Sequence, residues 1–265
     1  MRRLTAVALA LGLVVVAGLA FGAWNSSSTG SGSDAQITGD FAPGAGSESE
    51  NTNVPVVNAR PATRGAAPVI TKIESTQWKQ IVATGTWRPG CPAGRKQLRS
   101  LAVGYVDFSG TEQRGTIIAH RDTVDDLATI FTELYETRFP IARMEPVENF
   151  GGDVLRSLRA NNTSAFNCRK PGQINAPVGD SPHANGRAID INPVQNPWRD
   201  PRCDCWEPRA KFAKVKEGPG IIRKGTLPVQ LFKRQGWIWQ NIKVPDYMHF
   251  DTGYPSRPRT GNNSG

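Results

Sequence analysis

The chain has 265 residues, with 32 Lys+Arg against 23 Asp+Glu for a formal net charge of +9, and only 38% of its residues are hydrophobic. That fraction excludes a polytopic membrane protein and lies below the usual range of a compact globular chain, so part of the sequence stays out of any core. Residues 1–65 balance Arg2, Arg3, Arg60 and Arg64 against Asp34, Asp40, Glu48 and Glu50, which leaves the whole basic excess in the remaining 200. Two hundred residues suffice for one domain with a sizeable core, and its charge favours polyanionic surroundings such as nucleic acid, anionic lipid or a bacterial wall, without choosing among them.

At the N-terminus, Arg2-Arg3 precede an apolar run from Leu4 to Trp24 broken only by Thr5 and small residues. Residues 1–24 read as an export segment, either a signal peptide cleaved near Phe21-Gly22-Ala23 or an uncleaved membrane anchor. Basic residues before the run and none just after it place the rest of the chain outside the cytoplasm, secreted or membrane-anchored. No Cys follows the run, which argues against a lipoprotein, and the arginine pair alone is a weak twin-arginine signal. From Asn25 to Ala66, 30 of 42 residues are Gly, Ser, Thr, Asn, Pro or Ala, and Phe41 is the only aromatic. Such a stretch cannot bury enough apolar surface to offset its ordering entropy, so 25–66 is expected to be a disordered linker. The folded part is expected over 67–256, with a flexible polar tail at 257–265.

Within that part, Leu101, Val103 and Tyr105 alternate with smaller residues, Ser109-Gly110-Thr111 makes a turn, and Gly115–His120 returns, which predicts a hairpin. His120 is expected to make a structural hydrogen bond at the strand end. Val124, Leu127, Ile130, Phe131, Leu134 and Tyr135 then fall on one helical face behind a cap at Asp122 or Thr123, and that helix ends before Pro140. Further helices are predicted at Asp153–Ala160 and at Leu227–Gln235, the latter with Thr226 to cap, Pro228 early and Gly236 to close. Strands fit Ala188–Ile191 and Met248–Asp251. The fold class is α+β, with hairpins rather than regular βαβ units.

The chemistry concentrates in two stretches. In Ser181-Pro182-His183-Ala184-Asn185-Gly186-Arg187-Ala188-Ile189-Asp190, a turn at Asn185-Gly186 leading into a strand would bring His183 and Asp190 to one point. In Asp246-Tyr247-Met248-His249, a second imidazole follows a carboxylate by three residues. Two imidazoles and one carboxylate leave a fourth position on a metal for water, the arrangement of a catalytic zinc. The remaining carboxylate can take the proton of that water and later pass it to a departing amine.

These stretches resemble the S-x-H-x-x-G-x-A-x-D and acidic-x-x-His signatures of the zinc D-alanyl-D-alanine carboxypeptidase and L-alanyl-D-glutamate peptidase family. The resemblance extends to Gly115–His120, Phe139-Pro140-Ile141 and Asn162–Arg169, and so covers roughly residues 95–255. It implies a small antiparallel sheet with flanking helices and a single zinc site, of the D-Ala-D-Ala peptidase and hedgehog kind, and cleavage of stem peptides in bacterial peptidoglycan. It implies His183, Asp190 and His249 as ligands of one Zn²⁺ and Asp246 as general base. It also implies Arg169 over the substrate carbonyl, where a guanidinium would hold the developing oxyanion, and Ser181 near the substrate. Asp251 is expected to orient a ligand imidazole or to serve the structure. Where relatives often have Gly-Gly-x-Trp, this chain reads Gly236-Trp237-Ile238-Trp239-Gln240-Asn241, so one pocket wall differs; Trp237 and Trp239 are read as packing residues.

The function expected is that of a zinc peptidase of the cell wall, foremost a D-alanyl-D-alanine carboxypeptidase, with an L-alanyl-D-glutamate endopeptidase as the alternative bond. A catalytically inactive zinc-bearing wall-binding module and a peptidase of ordinary proteins are the rivals, and anionic wall polymers are candidate partners. No nucleic-acid partner is expected, and the membrane is met only through residues 1–24 if uncleaved. Four Cys in an exported chain point to disulfides. Three pairings are open. Cys203-Asp204-Cys205 reads as too tight to pair internally, its spacing is not that of a C-x-x-C zinc site, and a Cys91–Cys168 bridge would clamp the segment before Arg169.

Overall fold

In the computed structural model, which describes residues 65–168, 178–240 and 242–259, the alternating stretch forms the long hairpin. Strands β1 (Val69–Lys72), β2 (Leu98–Val106) and β3 (Glu112–His120) make an antiparallel sheet in that order. Helix α1 (Ser75–Ala83) lies between β1 and β2 in the chain, and α2 (Val124–Glu136) follows β3. The side chains of α2 at helical spacing, Leu127, Ile130, Phe131 and Leu134, are buried in one cluster with Leu101, Val103 and Ile117 of the hairpin. The hairpin's other face supplies Leu98 and Ile118 to a second cluster with Ile73, Ile81 of α1, Ala93, Phe166 and Cys168.

Thr123 occupies the N-cap of α2 but makes no side-chain cap. Its hydroxyl donates instead to the carbonyls of His120 and Gly186, 3.0 and 3.2 Å away, so it ties the helix to the site loop. Thr226 likewise precedes its helix without capping it. A side-chain cap is found instead at the short helix α3 (Val154–Arg159), where the Asp153 carboxylate accepts from the Arg156 N–H.

Short strands β4 (Arg143–Met144) and β5 (Asn162–Thr163) pair in parallel. Past β5, residues 164–167 lie between the hairpin sheet and a second three-stranded antiparallel sheet. The Phe166 N–H donates to the Ile118 carbonyl at 2.9 Å, and Ser164 and Asp190 exchange both backbone hydrogen bonds at 3.0 and 3.1 Å. The second sheet contains β6 (Ala188–Asp190), β9 (Ile238–Trp239) and β10 (His249–Asp251), with β10 at its centre. In place of the one expected sheet stand two three-stranded ones, besides shorter two-stranded pairs, and the irregular strip connects the backbones of the two larger sheets. Between β6 and β9 come the hairpin β7 (Trp198–Asp200) and β8 (Cys205–Glu207) and the helix α4 (Leu227–Arg234). Phe232 of α4 stacks on Phe250 of β10 at 4.0 Å and meets Trp237 edge-on at 5.5 Å, so Trp237 is a core residue.

Cys91 pairs with Cys168. Cys203 also pairs with Cys205, contrary to the expectation from their spacing. Asp204 adopts a left-handed conformation (φ 52°) at the hairpin tip, which brings the two Cα atoms to 5.1 Å, within the range a disulfide spans. Among the described residues no helix is long and apolar enough to cross a membrane.

Candidate metal centre

A tight turn delivers the first two site residues. The Ser181 hydroxyl accepts from the Ala184 N–H at 3.3 Å, the Asn185 N–H reaches the Ser181 carbonyl, and the Gly186 N–H reaches the His183 carbonyl. Gly186 closes the turn at φ 69°, and a Cβ there would meet the His120 backbone nitrogen at 2.8 Å, so both conformation and space demand glycine. Arg187, the next residue, donates to both oxygens of Asp122 at 2.7–3.1 Å, and Asp122 also contacts the His120 ring. Sequence reading treated Asp122 as a candidate helix cap; the structure makes it the anchor of the loop. The chain then enters β6, whose last residue, Asp190, sits directly opposite His249 of β10.

Cross-strand pairing thus fixes two of the three donors, and the turn swings His183 over them. His183 Nε2 lies 3.1 Å from His249 Nδ1 and 3.3 Å from Asp190 Oδ2, and His249 Nδ1 lies 3.1 Å from Asp190 Oδ1. All three side chains are buried. The outward nitrogens are already engaged: His183 Nδ1 donates to the Ala165 carbonyl at 2.7 Å, and His249 Nε2 donates to the Asp251 carboxylate at 3.0 Å. A carbonyl can only accept, so His183 carries its proton on Nδ1 and turns a lone pair inward. The Asp251 carboxylate imposes the corresponding tautomer on His249.

Three electron-rich atoms therefore face one point. Without positive charge between them they would repel, and ligands of a tetrahedral ion at about 2.0–2.1 Å stand roughly 3.3 Å apart, close to the separations seen. The donor set fits a divalent metal of the zinc kind, and His183, Asp190 and His249 are the group among the described residues with metal-binding spacing. The electrostatics have the same sign. Burial alone would lower the His249 pKa, but the carboxylates of Asp190, Asp251 and Asp246 around its ring push it up to about 10, so the pocket calls for a positive charge that a divalent cation would supply in place of the second ring proton. Burial would raise Asp190, yet the two imidazoles hold its carboxyl well below the usual range.

Asp246 begins the turn that ends at His249, whose N–H donates to the Asp246 carbonyl at 3.3 Å. It is half-buried and close enough for its charge to act on the His249 ring. The β7–β8 hairpin fastens this turn: Trp198 bridges Asp246, the Arg199 N–H donates to the Pro245 carbonyl at 2.8 Å, and the Trp206 ring stacks on Tyr247 at 5.9 Å. Trp239 stacks on Tyr247 from β9 and donates from its indole to the Tyr247 carbonyl at 3.0 Å.

His183, Asp190, His249 and Asp246 are thus gathered, and Asp251 orients an imidazole. Ser181 is buried and its hydroxyl serves the turn beneath His183. Arg169 lies outside the described residues. Sequence reading missed the Ala165 carbonyl, a backbone atom that no side-chain pattern announces, and the Asp122–Arg187 pair, for which the arginine inside the first motif was the available signal.

Residues 175–252 match the family described as D-alanyl-D-alanine carboxypeptidase, a stretch that contains both motifs and all four gathered residues. No curated protein and no solved structure gives a match.

Proposed function

We propose that this chain, whose residues 175–252 match the family described as D-alanyl-D-alanine carboxypeptidase, is a zinc peptidase acting outside the cytoplasm on the stem peptides of bacterial peptidoglycan, foremost by removing the terminal D-Ala. The observation that carries this is the convergence of His183 Nε2, His249 Nδ1 and Asp190 with both outward imidazole nitrogens engaged. Zinc held there would supply Lewis acidity, polarising the scissile carbonyl and making water a nucleophile near neutral pH.

The chain's own residues do the rest. Asp246, beside the ligands and acceptor-only when ionised, takes the proton of the attacking water and returns it to the departing amine. Ala165 and Asp251 hold the outer N–H groups of His183 and His249, which fixes both rings with their inner nitrogens turned toward the metal position. The family resemblance assigns Arg169 to the oxyanion and Ser181 to the substrate's surroundings. The excess of cations in the folded part suits residence among anionic wall polymers.

Defined stem peptides with different C-termini, incubated with the full chain before and after chelation and zinc restoration, test the proposal. Release of a single D-Ala, lost on chelation and recovered with zinc, is expected. An internal cut would make it an endopeptidase, and no product from any peptide with zinc stoichiometrically bound would favour the wall-binding rival.

A further inference from the structure

The end of β1 and the start of β2 form a second feature, independent of the peptidase motifs. Lys72, Ile73, Arg95, Lys96 and Arg99 line a surface cavity of about 350 Å³. Four of those five residues are cationic, and none is acidic. Lys72 and Arg99 stand directly opposite each other in the antiparallel pair. Like charges at such positions repel and weaken the sheet unless something lies between or over them. Arg95 and Lys96 add two more charges from the loop that enters β2.

The two guanidinium groups are held by neutral acceptors. Arg95 donates to the Ile73 carbonyl and to the Ser75 hydroxyl, 3.1 and 3.0 Å away, and Arg99 donates to the carbonyls of Lys96 and Leu98, 3.1 and 2.8 Å away. These bonds fix both groups in place without neutralising them. Among the described residues none of the four cations makes an ion pair, whereas Arg143, Arg187, Arg199, Arg202, Arg234 and Arg259 all do. Two guanidinium groups and two ammonium groups around one cavity can meet the several acceptor oxygens of a phosphate group from more than one side.

We infer that this cavity is a binding site for phosphate groups borne by a polyanion. Two sources carry that chemistry outside the cytoplasm, a soluble phosphodiester polymer and the headgroups of an anionic lipid surface. Occupancy would tether the folded part through β1 and β2, whatever reaction the metal centre performs.

The test titrates the full chain with poly(glycerol phosphate), with polyglutamate of equal length, and with vesicles of phosphatidylglycerol in phosphatidylcholine. It compares a pocket variant (Lys72→Gln, Arg95→Gln, Lys96→Gln, Arg99→Gln) with a control (Lys214→Gln, Lys216→Gln, Lys224→Gln, Lys233→Gln) that removes the same four charges from exposed positions elsewhere. The pocket variant is expected to lose about tenfold or more in affinity for poly(glycerol phosphate), for the vesicles or for both, and to show a shallower salt dependence, while the control keeps most of its binding. Loss on one probe alone identifies that source. Should the fourfold variant misfold, Lys72→Gln/Lys96→Gln, which leaves both arginine anchors in place, is expected to lose about threefold or more. Equal losses in pocket and control variants, polyglutamate bound as tightly as the phosphate polymer, or no binding by the unaltered chain would each overturn the site.

Discussion

His249 donates from Nε2 to Asp251, and the second oxygen of Asp251 accepts from the Gly253 N–H at 2.8 Å, so this carboxylate is pinned at both ends. It is fully buried, and its task is to keep the His249 lone pair on Nδ1, facing Asp190 and His183. An amide in its place can present either a donor or an acceptor to Nε2 and no longer dictates the tautomer. Asp251→Asn is therefore expected to weaken zinc binding by about 10- to 100-fold, measured by competition with a chelator of known affinity. Unchanged affinity would remove Asp251 from this role. The donors themselves were legible in the sequence, because two imidazoles and two carboxylates at motif spacing leave a side-chain signature. The groups that hold them were legible only in part, since Asp251 lay near enough to a motif to be noticed while Ala165 contributes a backbone oxygen.

Among the elements, the β2–β3 hairpin and α2 could be read from sequence because long periodic segments repeat the same physical preference many times. The elements that escaped are short or polar. Helix α1 buries a single residue, Ile81, fully, and β4 and β5 have two residues each. The β7–β8 hairpin was hidden by its cysteines, whose spacing argued against the disulfide that closes it. Yet this hairpin positions Asp246, through the Trp198 bridge and the Trp206–Tyr247 stack. Trp206→Ala should therefore leave the zinc content intact and lower kcat by about ten- to a hundredfold, since small displacements of a proton-transferring group are costly. Metal analysis beside steady-state kinetics on a D-Ala-ended peptide reads both quantities, and a full loss of zinc would make the hairpin a support of the ligands instead.

For the molecule as a whole, stability and pH are linked by a group far in sequence from the metal centre. Glu148, buried in a short 3₁₀ turn (Val147–Phe150), is raised from 4.5 to about 7 because burial disfavours its charge, against weaker hydrogen bonds from its own backbone and from Gln77. Its folded pKa exceeds the unfolded one, so its contribution is fully present below about pH 4.5 and is lost as pH climbs through about 7. Glu148→Gln removes that dependence. The variant is expected to gain on the unaltered protein between pH 5 and 8, by at most about 3 kcal/mol at the upper end, in denaturant unfolding across that range. Parallel pH profiles for the two proteins would show that burial does not govern this carboxyl.

The most direct measurement pairs zinc stoichiometry with turnover of a D-Ala-D-Ala stem peptide in the full chain and two variants, Asp246→Asn and His183→Ala. Asp246→Asn is expected to hold one equivalent of zinc while turnover falls by roughly 10²- to 10⁴-fold, the loss that follows removal of a general base. His183→Ala is expected to lose both metal and turnover. Zinc-dependent turnover persisting in Asp246→Asn, or a full equivalent of zinc retained in His183→Ala, would contradict the assignment of proton transfer to Asp246 and of metal binding to the buried His183, Asp190 and His249.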